Sequence, residues 1–588
     1  MASTTPTHAP KGLLDLPPEI LLLIFEYRCI AADELYQLSV LCRHLHWPAM
    51  HTFLSRKRVT DLQNIILRNI VWNPDQFIAG SAPLDALAGL NASTFMCGAS
   101  VKTLHCYFQY PNSPYNMFQY PSNLNIALRR LATFVRKLKS LDVIRIYLLS
   151  EKRYLHRQAD FPSDGHLAEW TESFLELAGL IVGRGCVEMT IQYDGIGSAM
   201  EFSFTNAAPN SRAHRIGHFI GRRLEKHQWL RPLVPKKLRF MTLPFAVSSK
   251  TALPVSSIRS LCIHSTVLLT PSFLPWTMRL LKESPNLTSI SFAHLSFGAD
   301  VWSRLLPDLA KVVSHKLIEF SILESCWKLS TDDLLFFLDR LPRLTKLVID
   351  RAVQIWVCEE ADEVVGVRTP IPALDCLETL QAPEDLILHL LKPPHRRFWE
   401  PATRRKPYTP LPSLRHVTVY PSSLLVDTTS YAPCAERWLS LQSTINQHRR
   451  TNGPITYTLD LQADFAATGK YTGIASYLEY RELYLQDSSS PPPSFSGVSE
   501  VVMYHFDNHY PNDKPQLFCQ WLKVLFPDVR MVTFTGVLST LPEQVLRMKE
   551  GTVVQLMKSL GEKCPGVDVL RVPESEYRKV DGRWIQVI

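Results

Sequence analysis

His44, His46 and His51 are the first residues of this chain whose type and spacing could do chemistry, because imidazoles set close together can hold a metal ion. No cysteine or carboxylate completes a ligand set around them, so they are expected as surface histidines without a metal. Glu359, Glu360, Asp362 and Glu363 gather carboxylates in one short stretch. Neither a base nor a phosphate-binding element accompanies them, and a solvated loop is expected. Gly183-x-Gly185 and Gly195-x-Gly197 do not continue into a dinucleotide fingerprint, and Gly-Lys-Ser and Gly-Lys-Thr do not occur. The 12 cysteines include no Cys-x-x-Cys pair, which argues against a zinc ribbon or a redox motif. Buried, reduced thiols are the simpler reading, and they point to the cytoplasm or the nucleus. The sequence therefore offers no catalytic residue, metal site or cofactor site, and the expected chemistry is binding.

The segment that calls for a binding partner runs from Leu14 to Leu54. Leu16, Pro17, Pro18 and Glu19 open a helix whose next residues, Ile20, Leu21, Leu22, Leu23, Ile24 and Phe25, are all apolar. Proline suits a first helical turn, since its missing amide would have no intrahelical partner there. A helix that is apolar all round must be covered all round. A second short helix carries Leu35, Leu38, Leu41 and Cys42, and a third carries Leu45, Trp47, Ala49, Phe53 and Leu54. Three helices within roughly 40 residues cover only part of the first, and a core that small is seldom stable alone. The uncovered face needs a partner.

These residues resemble an F-box. The resemblance rests on Leu16-Pro17-Pro18-Glu19-Ile20, on Ile24-Phe25-Glu26-Tyr27, on Leu35 through Arg43, and on Trp47 and Ala49. It implies docking to the Skp-type adaptor of a cullin ubiquitin ligase, with the cullin reached through that adaptor. Carried over position by position, the family's adaptor face falls on Leu16, Pro17, Ile20, Leu23, Ile24 and Leu38. The pattern departs at Leu45, where a tryptophan often stands, with Trp47 two positions later. It departs again at Arg28, where the family is usually apolar.

The rest of the chain repeats an apolar residue, two others, an apolar residue, one other and an apolar residue. Ile258-Leu261-Ile263, Leu287-Ile290-Phe292, Leu317-Phe320-Ile322, Leu344-Leu347-Ile349, Leu377-Leu380-Ala382 and Leu414-Val417-Val419 follow one another at intervals of about 30 residues, with helical spacing between them. Alternation at the last positions predicts a strand, and Pro285, Pro342 and Pro412 stop the helix before it. Looser copies precede the block at Val101-Leu104-Cys106, Leu141-Ile144-Ile146, Cys186-Met189-Ile191 and Leu238-Met241-Leu243. Others follow it at Val498-Val501-Met503, Val529-Val532-Phe534 and Val567-Leu570-Val572. The predicted fold class is α/β: a three-helix F-box, then an irregular leucine-rich-repeat-like solenoid of strands and helices, each unit burying its apolar face against its neighbours. The body resembles the leucine-rich-repeat F-box proteins and the expanded F-box families of fungi. Where that family usually has Asn or Cys, this chain has Thr266, Leu295, Ser325 and Ala352, so its turns must satisfy their amides in another way.

The expected domains are a disordered tail over 1–12, the F-box over 13–60, the repeat body over 61–485, a Ser/Pro linker over 486–497 and a C-terminal set of repeats or cap over 498–588. Lys392, Arg396, Arg397, Arg404, Arg405 and Lys406 mark a basic, proline-rich loop over 392–410, read as a solvated insertion, with a nuclear-import or anionic-partner patch as its alternative. Side chains that alternate with the buried ones face outward on the sheet. They nominate Ser260, His264, Ser289, Ser291, Glu319, Ser321, Lys346, Asp350, His416 and Thr418 as contacts for a protein substrate.

Composition agrees with a folded chain, at 46% hydrophobic and 20% charged residues over 588 positions. No apolar run approaches the ~18 residues of a membrane helix, and no secretory signal is expected. A net charge of +8 with no aromatic-lined basic groove does not favour nucleic acid. The function expected is therefore a non-catalytic substrate receptor of an SCF-type (Skp, cullin, F-box) ubiquitin ligase. The alternative is a scaffold that uses the repeat surface without ubiquitin transfer.

Overall fold

The computed structural model describes residues 12–27, 30–68, 84–108, 120–148, 164–193, 256–269, 273–295, 299–323, 329–350, 374–391, 411–420, 431–460, 494–504, 514–535, 550–573 and 575–587, with a few single positions between them. The expectations placed on Arg28, Leu238–Leu243, Glu359–Glu363, the 392–410 loop and the 1–11 tail lie outside the described residues, as does most of the proposed linker. The chain is a mixed α/β protein dominated by mostly parallel strand pairing. It divides into two compact units, Met1–Val301 and Trp302–Ile588.

The first unit begins with three helices, α1 (Pro18–Glu26), α2 (Ala32–Leu41) and α3 (Arg43–Arg56). Leu21, Phe25, Leu35, Leu45, Ala49, Met50 and Phe53 form their common core, each no more than 4% exposed. Tyr36 leans on the Phe53 ring at a centroid distance of 5.6 Å. Helix α3 ends on Arg56, whose guanidinium reaches back to the chain end of α1. It donates to the carbonyls of Phe25 at 2.7 Å and Tyr27 at 2.8 Å, and also to that of Ile30. A helix end leaves carbonyls without intrahelical partners, and Arg56 satisfies them.

Beyond the helices the first unit alternates strand and helix: β1 (Asn64–Leu67), α4 (Ala86–Ala92), β2 (Ser100–Phe108), α5 (Tyr120–Lys137), β3 (Ser140–Leu148), α6 (Asp164–Gly183), β4 (Glu188–Tyr193), β5 (Ser260–His264), α7 (Leu274–Glu283) and β6 (Ser289–Phe292). The strands lie in sequence order and pair in parallel. Parallel neighbours need a crossover, which the intervening segments supply. Ile65, Leu104, Ile144, Met189, Leu261 and Ile290 stand in one register row. All are fully buried. The middle position of the repeated pattern therefore marks the same place in each of these strands, in the described loose copies as in the regular ones. Strand β1 carries the pattern too, at Leu62, Ile65 and Leu67, although the sequence reading began the array one strand later.

The second unit begins within α8 (Ala299–Val313) and continues with β7 (Glu319–Ile322), β8 (Leu329–Ser330), α9 (Thr331–Leu338), β9 (Lys346–Ile349), β10 (Ile355–Trp356), β11 (Thr379–Pro383), α10 (Glu384–Leu391), β12 (His416–Tyr420), α11 (Tyr431–Asn452), β13 (Thr456–Asp460), β14 (Glu500–Tyr504), α12 (Lys514–Leu525), β15 (Met531–Thr535), α13 (Glu550–Lys563), β16 (Val569–Val572), β17 (Ser575–Val580) and β18 (Arg583–Gln586). Its main strand order is β7-β9-β11-β12-β13-β14-β15-β16-β17-β18, while β8 and β10 pair apart from it. Phe320 packs on Phe337 of α9 at 4.9 Å, and Phe534 on Phe518 of α12 at 5.8 Å, so strand and helix share one apolar layer.

Phe320, Leu347, Leu380, Val417 and Tyr457 share one register row, and Leu459, Val501, Val532 and Leu570 share another. Between β13 and β14 the pattern thus advances by two residues. A step of two keeps every side chain on its own face, whereas a step of one would have turned the strand inside out. The parallel run ends in an antiparallel hairpin, β17–β18, turned at Asp581 and Gly582 with φ of 51° and 77°. Asp-Gly with both residues at positive φ is the favoured two-residue hairpin turn.

A recurring backbone device links successive strands at their entry; Ser325 and Ala352 lie outside the described residues. The carbonyl just before a strand accepts two amides from the next unit. Arg259 takes Thr288 and Ser289, Ile318 takes Thr345 and Lys346, Glu378 takes Arg415 and His416, and Ser499 takes Arg530 and Met531. At the other strand end, Ala293 donates to the Ile263 carbonyl and Asp350 to that of Ile322.

Candidate binding surfaces

Two surfaces carry side chains that the core does not consume. The first lies on the three N-terminal helices. Of the six residues assigned to the adaptor face, Pro17, Ile20 and Leu23 are exposed, while Leu16, Ile24 and Leu38 are half-buried. Ile20 and Leu23 are 42% and 61% exposed, although Leu21 between them is fully buried. Positions three and four apart share a helix face. Ile20, Leu23 and Ile24, with Tyr27 just past the helix end, therefore form an apolar stripe opposite the core stripe of Leu21 and Phe25. Exposed Tyr27, Val40, Leu41 and Trp47 add to the apolar surface of these helices. Tyr27, Val40, Leu41 and Trp47 all stand inside the motif residues, but the motif alone did not show which of them the helix core would leave out.

The histidines brace this head. His44 Nε2 lies 3.0 Å from the Leu16 carbonyl, tying the start of α3 to the entry of α1. His46 Nδ1 lies 2.9 Å from the Ser39 carbonyl, and its Nε2 accepts from the Thr94 amide at 3.1 Å. With Nε2 accepting from Thr94, Nδ1 is the ring nitrogen placed to donate to Ser39. Leu45, at the position where the family often has tryptophan, is buried, and Trp47 is turned outward beside His51. The head is seated on α4 through Gly89, where a Cβ would come within 2.5 Å of Phe53 Cε1.

The second surface is the outward side of the parallel strands. In the first unit, Glu188, Ser260 and Ser289 stand side by side, as do His105, Arg145, Thr190, Cys262 and Ser291, and then Tyr107, Tyr147, Gln192 and His264. Of the sequence-nominated residues in this unit, Ser260, His264, Ser289 and Ser291 all fall on this side and all are half-buried. His264 Nε2 pairs with Ser291 Oγ at 3.0 Å.

The residues that organise this surface were not nominated. Arg145 and Glu188 form an ion pair at 3.2 Å. Tyr107 and Tyr147 stack with centroids 4.1 Å apart and planes 1° from parallel. They occupy the alternate positions of the looser pattern copies, so the alternation applied to the regular block would have found them. Burial, with His294 and Arg145 nearby, pushes His264 down to about 4. Burial also lowers His105, Arg145 adds to that, and Glu188 opposes it. Burial works against the charge on Arg145, but Glu188 and Tyr147 hold it above its ordinary value. At neutral pH the surface is thus two neutral imidazoles, a stacked tyrosine pair and one internally balanced ion pair. It offers hydrogen bonds and flat aromatic area, with little net charge.

In the second unit, Glu319, Lys346, Thr379, His416 and Thr456 share one outward row, and Ser321, Val348, Gln381, Thr418 and Thr458 the next. Six nominated residues belong to this unit, and five of them lie in these rows. The sixth, Asp350, follows the end of β9, with its amide on Ile322. Lys346 Nζ approaches Glu319 Oε2 at 3.8 Å. Further along, Glu500 accepts from Thr458 Oγ1 at 3.1 Å and from Thr533 Oγ1 at 2.8 Å, linking three successive strands across their outer side.

Among the described residues no cluster of three His, Cys, Asp or Glu side chains could hold a metal ion, and no helix is long and apolar enough to cross a membrane. No known family model matches the chain, and no curated protein matches it either.

Proposed function

We propose that the chain is a protein-docking module with two working surfaces, an apolar helical head and an outward strand face on a leucine-rich-repeat-like solenoid. More specifically, we read it as the substrate-receptor subunit of an SCF-type ubiquitin ligase. The F-box head binds the Skp-type adaptor, the adaptor brings the cullin, and the repeat body holds a protein substrate. The observation that carries this reading is the exposed stripe of Ile20, Leu23 and Tyr27 on a helix whose other side, Leu21 and Phe25, is already buried. Exposed apolar area concentrated on one helical face is the usual mark of a protein interface. In this role the chain contributes position: it raises the effective concentration of a substrate lysine near the charged conjugating enzyme, and the bond-making occurs on other subunits.

The test is affinity purification of the full chain beside an Ile20→Ala, Leu23→Ala variant, with bound proteins identified by mass spectrometry. The reading expects adaptor and cullin with the wild type and neither with the variant. Recovery of adaptor without cullin from the wild type would favour the scaffold alternative, and recovery of neither would reject the head as a docking site.

A further inference from the structure

The second unit brings two cysteines together that the docking role does not use. Cys519 lies on α12 and is fully buried, and Cys564 lies in the turn between α13 and β16, 6% exposed. Cys564 Sγ donates to the Cys519 carbonyl at 3.1 Å. The two thiols are also within hydrogen-bonding reach of each other. Backbone bonds hold the turn on both sides: Cys564 donates to the Leu560 carbonyl at 2.9 Å and accepts from the Val567 amide at 3.0 Å. Leu560 and Val567 are fully buried, so the pair sits in an ordered apolar layer.

The partners are chemically unequal. The hydrogen bond from Cys519 holds the Cys564 thiol below its ordinary range, Lys523 adds to this, and burial opposes it. The same contact, together with burial, pushes the Cys519 thiol far up. Cys564 is also the less buried of the two, at 6% against 0%, and the thiolate is the form that reacts with oxidants. By contrast, burial alone raises Cys106, and it takes Cys186 up to about 12.

We propose that Cys519 and Cys564 are a disulfide-forming pair that closes when the protein meets a hydroperoxide, stapling α12 to the turn that leads into β16. The Cys564 thiolate attacks the terminal peroxide oxygen, the O–O bond breaks, and the alkoxide leaves as alcohol after taking a proton from solvent. Cys564 is then a sulfenic acid. The Cys519 sulfur attacks the Cys564 sulfur, the S–S bond forms, the S–O bond breaks, and the departing hydroxide takes the Cys519 proton to become water. Two thiols and one hydroperoxide give one disulfide, one alcohol and one water. This site is independent of the docking surfaces.

The test treats the full-length protein with hydrogen peroxide, blocks remaining thiols by alkylation under denaturing conditions and maps peptides without reduction. The expected result is a Cys519–Cys564 linked peptide lighter by two hydrogens, lost on adding a dithiol reductant. Cys564→Ser should abolish the link, Cys97→Ser should leave it, and the denaturant midpoint of the second unit should rise on oxidation only where the link forms. Recovery of both cysteines alkylated, of Cys564 over-oxidised beside a free Cys519, or of either linked to a different cysteine would overturn the proposal. The wild-type map decides these outcomes even if a variant folds poorly.

Discussion

Replacing Arg56 by alanine should loosen the helical head without touching its exposed stripe. Arg56 is half-buried and donates to three carbonyls, that of Phe25 in the last turn of α1 and those of Tyr27 and Ile30 just past it. A hydrogen bond to a charged group contributes about 1.5–3 kcal/mol net, and bonds sharing one partly exposed guanidinium do not add fully, so the loss is about 3 kcal/mol. If that loss falls on local opening of α1, amide protection there drops roughly 100-fold. Hydrogen exchange read by mass spectrometry on peptides covering Leu21–Tyr27 measures it. Arg56→Lys keeps the charge but cannot fork to three acceptors, and should recover only part of the protection. Unchanged exchange over α1 in the alanine variant would refute the assignment of Arg56 as the clamp.

Gly89→Ala should unseat the head from α4, because the new Cβ meets the buried Phe53 ring at 2.5 Å; a clash of this kind costs about 1–3 kcal/mol and is read as a lower thermal midpoint. The first unit should lose stability as pH falls. Folding holds His264 at about 4 against an ordinary 6.5, so between those values the unfolded chain binds the extra proton; denaturant midpoints should decline across that window, and less so in His264→Gln. The C-terminal hairpin should loosen in acid by the same linkage, here through a carboxylate whose charged form the fold favours. Arg571 and Arg578 hold Glu576 below its ordinary 4.5, so its contribution is complete above that value and is lost as pH falls through the lowered one; Glu576→Gln should reproduce the loosened hairpin at neutral pH, seen by faster exchange over Ser575–Gln586.

Much of the strand framework was legible because the three-residue and two-residue spacing records a fixed geometry: one buried residue at the turn and two on the inner side of a strand. That is why Leu104, Ile144, Met189, Leu261 and Ile290 fall in one row. Strand β13 was missed because Pro454 stands where the first apolar residue of the pattern belongs, leaving only Tyr457 and Leu459. The closing hairpin was marked by Asp581-Gly582, a local signal overlooked in favour of the repeat. The outward alternation carried the nominated residues onto the strand faces, yet it did not rank them: the stacking of Tyr107 on Tyr147 and the Arg145–Glu188 pair depend on which strands become neighbours. The contacts of Arg56 with α1 and of Gly89 with Phe53 join residues far apart in sequence, where local spacing carries no information.

Titration of the purified Skp-type adaptor into the full chain and into its Ile20→Ala, Leu23→Ala variant decides whether the head is a docking site. The two side chains are about half exposed, so their burial in an interface contributes roughly 2–3 kcal/mol together, a 30- to 100-fold change in affinity. Binding by the wild type, with that loss in a variant whose α1 exchange is unchanged, is the predicted result. Equal binding by both proteins, or no binding by the wild type, would contradict it.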